Sequence, residues 1–375
     1  MGSVPLELHS IGRGIMRLSI SRAYLAAPRR VRPSRSICSA SSKPRIPLFL
    51  RPPNYSATLT DLQKWHDWAK TLSSSVGSSF VDADNGPDSA LLHRELKWLI
   101  EDAVEDKSVS SELRTNSEQN HEHNHRNVRL KVGIEELYGV WKQRIHERRP
   151  FQYIVGCEHW RDLILSVEEG VLIPRPETEV LVDLVAEVVS DNEALREGLW
   201  VDLGTGSGAI AIAICRVLEG RARVIATDLS PTALTVAGYN VQRYGLQDSI
   251  ELRQGSWYEP LKDVQGKLSG IISNPPYIPS DNIVGLQAEV GKHEPRVALD
   301  GGTNGMDELI HLCDEAAVML KPGGFFAFET NGEDQCKHLV KYMEDNHRGR
   351  LCNLKIVSDF AGIPRFITGF LNEPL

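Results

Sequence analysis

The tetrapeptide Asn274-Pro275-Pro276-Tyr277 has the residue types for chemistry on a flat, nitrogen-bearing group. The apolar run before it, Leu268–Ser273 (LSGIIS), reads as a buried parallel strand running straight into a stiff turn. Two consecutive prolines fix two φ angles and remove two backbone donors, so the chain leaves the strand end rigidly, with carbonyl groups unclaimed by a ladder. An asparagine before them and an aromatic ring after them make a narrow slot with acceptor oxygens at its edge and a π-face above. Such a slot suits an amide or the exocyclic amine of a base. Asn-Pro also begins ordinary turns, so the neighbouring motif has to decide what the slot is for.

That motif is Val201-Asp202-Leu203-Gly204-Thr205-Gly206-Ser207-Gly208, at a strand-to-helix turn. The glycines let the chain turn tightly and expose bare backbone to a ligand. The next strand ends in Asp228, about twenty residues on, where an acid would hold the hydroxyls of a ribose. An acid ahead of the first glycine would repel a pyrophosphate and welcome the ammonium and sulfonium of S-adenosylmethionine. Asp202, Gly204, Thr205, Gly206, Gly208 and Asp228 therefore read as an adenosylmethionine site. After the third strand, Ser256 is placed to meet the adenine amine, and Trp257 to lie on the ring or in the core. With a methyl donor in the same crevice, the Asn274 side-chain oxygen and the Pro275 carbonyl would hold the two N–H bonds of a planar nitrogen. Pro276 would wall the slot and Tyr277 would stack on the flat group. This is catalysis by orientation and electrostatics, with no dedicated strong base.

The elements that must position these residues follow a βαβα alternation from residue 200 onward, with short apolar strands, predicting a Rossmann-like, doubly wound, mostly parallel sheet. Ahead of it, residues 60–75, 89–106 and 132–148 carry tryptophan and leucine at helical spacing, with Thr60 or Asp61 as a natural N-cap for the first. The expected domains are a leader over 1–59, a helical domain over 60–149, a β-hairpin linker over 150–173, and an α/β domain over 174–375.

Composition bounds the rest. The chain has 375 residues, a net charge of −8 and 41% hydrophobic residues. No apolar stretch approaches a membrane span, and an acidic total argues against a stable electrostatic grip on nucleic acid. In residues 1–60 Glu7 is the only acid, against ten arginines and lysines among many serines. An Arg- and Ser-rich, acid-poor leader is the signature of an organellar transit peptide, with chloroplast the first expectation and mitochondrion the alternative. The six cysteines show no paired metal-ligand spacing, and His121, His123 and His125 lie in a polar stretch without a nearby cysteine, so no metal is expected.

Pro174-Arg175-Pro176-Glu177-Thr178-Glu179, the Asp202–Gly208 loop and Asn274-Pro275-Pro276-Tyr277 together resemble the HemK family, the protein-(glutamine-N5) methyltransferases of peptide-chain release factors. His293-Glu294-Pro295 with Leu299-Asp300-Gly301-Gly302 resembles the stretch that follows the catalytic loop in that family. The resemblance implies transfer of a methyl group to the glutamine of the Gly-Gly-Gln loop of a bacterial-type release factor of plastid or mitochondrion. It further implies that the helical domain helps bind the release factor, and that Arg175 and Glu177 line the mouth of the site or brace the hairpin as ion-pair members. A monomer is expected. The family often carries an acid where this chain has Ser256, which leaves the adenine contact there open. Adenine and guanine amino methyltransferases of nucleic acids share the Asn-Pro-Pro-Tyr element and form the alternative reading, and a non-catalytic binding module is the other.

Overall fold

A computed structural model describes residues 44–115 and 126–373. Residues 1–43 of the expected leader and the histidines at 121, 123 and 125 lie outside the described residues.

The helical domain begins earlier than its composition suggests. Leu48, in a short 3-10 turn Leu48–Leu50, is buried in the helical core. Strand β1 (Tyr55–Thr58) pairs antiparallel with β2 (Asn127–Leu130), tying the segment before the first helix to the segment before the last one. The expected leader over 1–59 is therefore corrected from residue 44 onward. Arginine and proline there mask an apolar anchor and a strand whose partner lies some seventy residues away in sequence. Thr58, not Thr60 or Asp61, caps the first helix, Leu59–Ser74: its hydroxyl oxygen accepts from the Asp61 backbone N–H at 3.1 Å. The helices Ser89–Ala103 and Ile134–Lys142 complete the core around Trp65, Leu96, Leu99 and Trp141. The last of these runs on as a π-helical turn, Gln143–Glu147, and stops at Arg148 in the left-handed conformation.

The expected hairpin over 150–173 is shorter than the sequence implied. Residues Phe151–Val155 form one helical turn ended by Gly156 at φ 77°, because Phe151, Ile154 and Val155 pack into the helical core while Tyr153 packs with Val167 and Ile173. The hairpin itself is β3 (Cys157–Trp160) against β4 (Leu163–Ser166).

The α/β domain is a seven-stranded sheet. Its strands are β5 (Leu199–Leu203), β6 (Arg223–Asp228), β7 (Ile250–Gln254), β8 (Leu268–Ser273), β9 (Leu320–Glu329), β10 (Leu351–Ser358) and β11 (Pro364–Leu371). The spatial order is β10-β11-β9-β8-β5-β6-β7, and β11 alone runs antiparallel to its neighbours. This is a mixed, mostly parallel sheet. Alternation along the buried strands feeds two cores: Trp200, Phe325 and Ala327 face one, Val201, Phe326 and Phe328 the other. Gly270 on β8 is required for packing, since a Cβ there would meet the Trp200 ring at 2.0 Å. Strand order reverses between β6 and β8 on either side of β5, which opens a crevice at the carboxyl ends of those strands.

Candidate active site

Two loops leave the sheet side by side into that crevice. The Ser273 hydroxyl at the end of β8 donates to the Leu203 carbonyl at the end of β5, 2.8 Å away, and locks the two exits together. The β5 loop places Gly204, Gly206 and Gly208 at φ 73°, 55° and 84°, the left-handed region in which a side chain is strained. Its backbone is pinned from β6: Gly204 and Thr205 N–H donate to the Thr227 carbonyl, and Gly206 N–H to Asp228 Oδ2, each at 2.9 Å. A Cβ at Gly206 would meet nothing within 4 Å, so that stretch presents bare backbone to open space.

Asp202 corrects the expectation of an acid standing open to a ligand. It is fully buried, and Oδ2 accepts from the Thr205 hydroxyl at 2.6 Å and from Ala211 N–H at 3.0 Å. The carboxylate braces the loop from below because Thr205 folds back over it. Its Oδ1 has no partner among the described residues. Burial, with Asp228 nearby, pushes this carboxyl up to about 7. Asp228 is half-buried and its Oδ1 accepts from Ser230 N–H at 2.8 Å; burial raises its pKa as well. Ser256 is exposed. Trp257 is half-buried at φ 44°, its ring lies against Gly204, and its Nε1–H donates to Glu308 Oε2 at 2.5 Å. The indole therefore flanks the glycine loop while its edge is held by an acid that sequence reading did not single out.

The slot is built from three segments. Asn274 Nδ2 donates to the Thr178 hydroxyl oxygen at 3.0 Å, so its Oδ1 is left for the slot. No donor among the described residues claims the Pro275 carbonyl. The Tyr277 hydroxyl donates to Glu329 Oε1 at 3.0 Å. Behind the loop, Ile278 N–H donates to Leu299 O and Gly301 N–H to Ile278 O, so residues 299–301 run alongside as a splint. The approach at Gly301 is close, and a Cβ there would meet the Pro276 carbonyl oxygen at 2.7 Å. Gln335 Nε2 donates to the Tyr277 carbonyl at 2.9 Å and fixes the end of the turn.

Arg175 lies at the edge of the slot but is committed to Glu294. Its Nη2 is 2.5 Å from Glu294 Oε1, Glu294 Oε2 accepts from Ile173 N–H, and the Arg175 carbonyl accepts from Trp160 Nε1 of the hairpin. Glu177 is half-buried and acts electrostatically on Glu329. Glu308 and Glu329 are site residues that sequence reading did not name, and Thr178 and Glu294 were named there only as parts of motifs, without these roles. Glu329 had a signal: a lone acid ending the apolar strand Phe325-Phe326-Ala327-Phe328-Glu329, as Asp228 ends β6.

A family model described as Methyltransferase small domain matches residues 178–287, spanning both loops. The release factor glutamine methyltransferase of Gloeobacter violaceus is 44% identical over 241 residues, covering 64% of this chain and 81% of that protein. That of Synechocystis is 37% identical over 278 residues, covering 73% of this chain and 88% of that protein. The chain belongs to the release factor glutamine methyltransferase family. As a member of this family it is an S-adenosylmethionine-dependent enzyme. Among solved structures it is similar to an S-adenosylmethionine-dependent O-methyltransferase from Thermotoga maritima, 13% identical, covering 55% of this chain and 68% of that one, with a TM-score of 0.36.

Proposed function

We propose that this release factor glutamine methyltransferase family member methylates the side-chain amide nitrogen of the glutamine in the Gly-Gly-Gln loop of an organellar, bacterial-type release factor. The observation that carries the reading is the pair of free acceptors, Asn274 Oδ1 and the Pro275 carbonyl, beside a tethered Tyr277 ring. A primary amide has two N–H bonds in one plane, and two acceptors on a rigid turn hold both. The amide lone pair is delocalised into its carbonyl, so the site must orient the nitrogen and stabilise the charge that develops on it. Asn274 and Pro275 do this, Tyr277 covers the flat face, and Pro276 keeps the turn from relaxing.

S-adenosylmethionine supplies the electrophilic methyl group. The residues present fit it: bare backbone at Gly206 beside Gly204, with Gly208 allowing the close packing of the loop against Ala237, Thr205 holding the loop closed, an acid at the end of β6 in Asp228, and the Trp257 ring beside the loop. Ser256 is near enough in sequence to border the same pocket, and Asn274 borders both ligands. Asp202 acts beneath the loop, with its unpartnered Oδ1 the remaining acceptor. Asp202→Ala should raise the S-adenosylmethionine dissociation constant by about tenfold to a hundredfold, since it frees the Thr205 hydroxyl and the Ala211 N–H. Calorimetric titration of the purified variant checks this.

The Arg- and Ser-rich composition of residues 1–43 supports import into a chloroplast, with mitochondrion as the alternative. The helical domain is the part best suited to engage the body of the release factor, and Arg175 and Glu177 border the mouth. The deciding experiment incubates the protein with labelled S-adenosylmethionine and plastid or mitochondrial release factors. Label should be lost when the Gly-Gly-Gln glutamine is changed to alanine. Label that survives that change, or that goes only to added RNA or DNA, refutes the assignment. A fusion of residues 1–43 to a fluorescent reporter tests the compartment.

A further inference from the structure

We propose that Glu329 is a positioning residue for methyl transfer: its carboxylate anchors the Tyr277 ring that covers the substrate amide. The inference rests on the function proposed above. Glu329 is 1% exposed at the end of β9, and nothing about a buried acid there aids packing. Its Oε1 accepts from the Tyr277 hydroxyl at 3.0 Å. Its Oε2 has no partner of ordinary hydrogen-bond geometry among the described residues.

A carboxylate can only accept, so the Tyr277 hydroxyl turns its proton toward Glu329 in a charge-assisted bond and the ring is held on one side of the slot. A neutral group at position 329 makes a weaker bond to the hydroxyl, and the hold on the ring loosens.

The groups around Glu329 are Tyr277 from the loop, Thr178 and Glu177 from the segment before the helix Glu179–Asp191, and Arg365 from β11. Burial pushes the carboxyl up to about 7, against the two hydroxyls and Arg365, while Glu177 adds to the rise. Ionised Glu329 is therefore lost as the pH falls through about 7, and turnover should fall with it.

The test compares wild type, Glu329→Gln, Tyr277→Phe and the double variant, with release factor as substrate between pH 5.5 and 8.5. We expect Glu329→Gln to lower kcat by about tenfold to a hundredfold, to leave the S-adenosylmethionine dissociation constant within about twofold, and to abolish the pH break. The double variant should be no slower than Glu329→Gln alone, because both changes break one unit. Wild-type kcat in Glu329→Gln, an unchanged pH break, or additive losses in the double variant would overturn the proposal. If Glu329→Gln fails to fold, the pH break in Tyr277→Phe decides: its weakening supports the unit and its persistence overturns it. A wild-type protein that leaves the release factor unlabelled refutes the proposed function instead, so the two failures are distinguishable.

Discussion

Replacing Asn274 with alanine is expected to slow methyl transfer by about a hundredfold to a thousandfold while leaving S-adenosylmethionine affinity within about twofold of wild type. The magnitude follows from what is removed. Asn274 Oδ1 is one of two acceptors in the slot, held rigidly because Nδ2 is tied to Thr178. A preorganised acceptor stabilises the charge that develops on the nitrogen without reorganising, and water admitted by the truncation has no fixed orientation. Cofactor affinity should persist, since the glycine loop is braced by Asp202, Thr227 and Asp228 without help from Asn274. Single-turnover rates with saturating release factor, alongside calorimetric titration of the cofactor, separate the two quantities. A loss of cofactor binding comparable to the loss of rate would contradict the role assigned to Asn274.

Glu289→Ala is expected to lower the free energy of unfolding by about 3–5 kcal/mol, read from denaturant titration. Glu289 is the centre of a buried ionic cluster. Its Oε1 accepts from Arg144 Nη1 at 2.8 Å and Arg148 Nε at 2.7 Å, and its Oε2 from Arg148 Nη2 at 2.5 Å. Arg144 also pairs with Glu95, and Arg148 with Asp84. Arg144 and Arg148 come from the π-helical turn and its cap in the helical domain, whereas Glu289 lies on the helix Ala288–His293 of the α/β domain. Removing it leaves two guanidinium groups, 3% and 8% exposed, short of charge. The cost comes from the uncompensated buried cations rather than from the net worth of the pairs. Added salt should change this difference little, because buried pairs are poorly screened. The same helix follows the Asn-Pro-Pro-Tyr turn by about ten residues, so the Michaelis constant for an intact release factor should rise in the variant more than that for a short Gly-Gly-Gln peptide.

The sheet was legible because its strands are short, apolar and punctuated: Leu268–Ser273 lies where its composition put it, and β5 to β7 alternate with helices at the expected spacing. The two loops were legible because glycine and proline carry backbone requirements that no other residues meet. What escaped was non-local. β1 is recognisable only through β2, and Arg45 reaches Tyr153 and Glu168, more than a hundred residues on. Asp202 has the right chemistry for a cation, yet the Thr205 hydroxyl three residues later turns it inward. Glu329 is an ordinary acid in sequence and Glu294 only part of a motif, and their roles arise only when Tyr277 and Arg175 are folded against them.

The position of β11 governs when during synthesis the site can be finished. The strand lies between β9 and β10, with Phe366 opposite Glu329, yet it follows both in the chain. A chain emerging from the ribosome can therefore assemble β5 to β9, with the glycine loop and the Asn-Pro-Pro-Tyr turn already in place, while β9 is still a sheet edge. Until Pro364–Leu371 is added, Glu329 stands at that edge in contact with water, without Arg365 beside it. The nascent protein thus gains its glycine-loop half first and the buried carboxylate behind Tyr277 last, in the direction of translation.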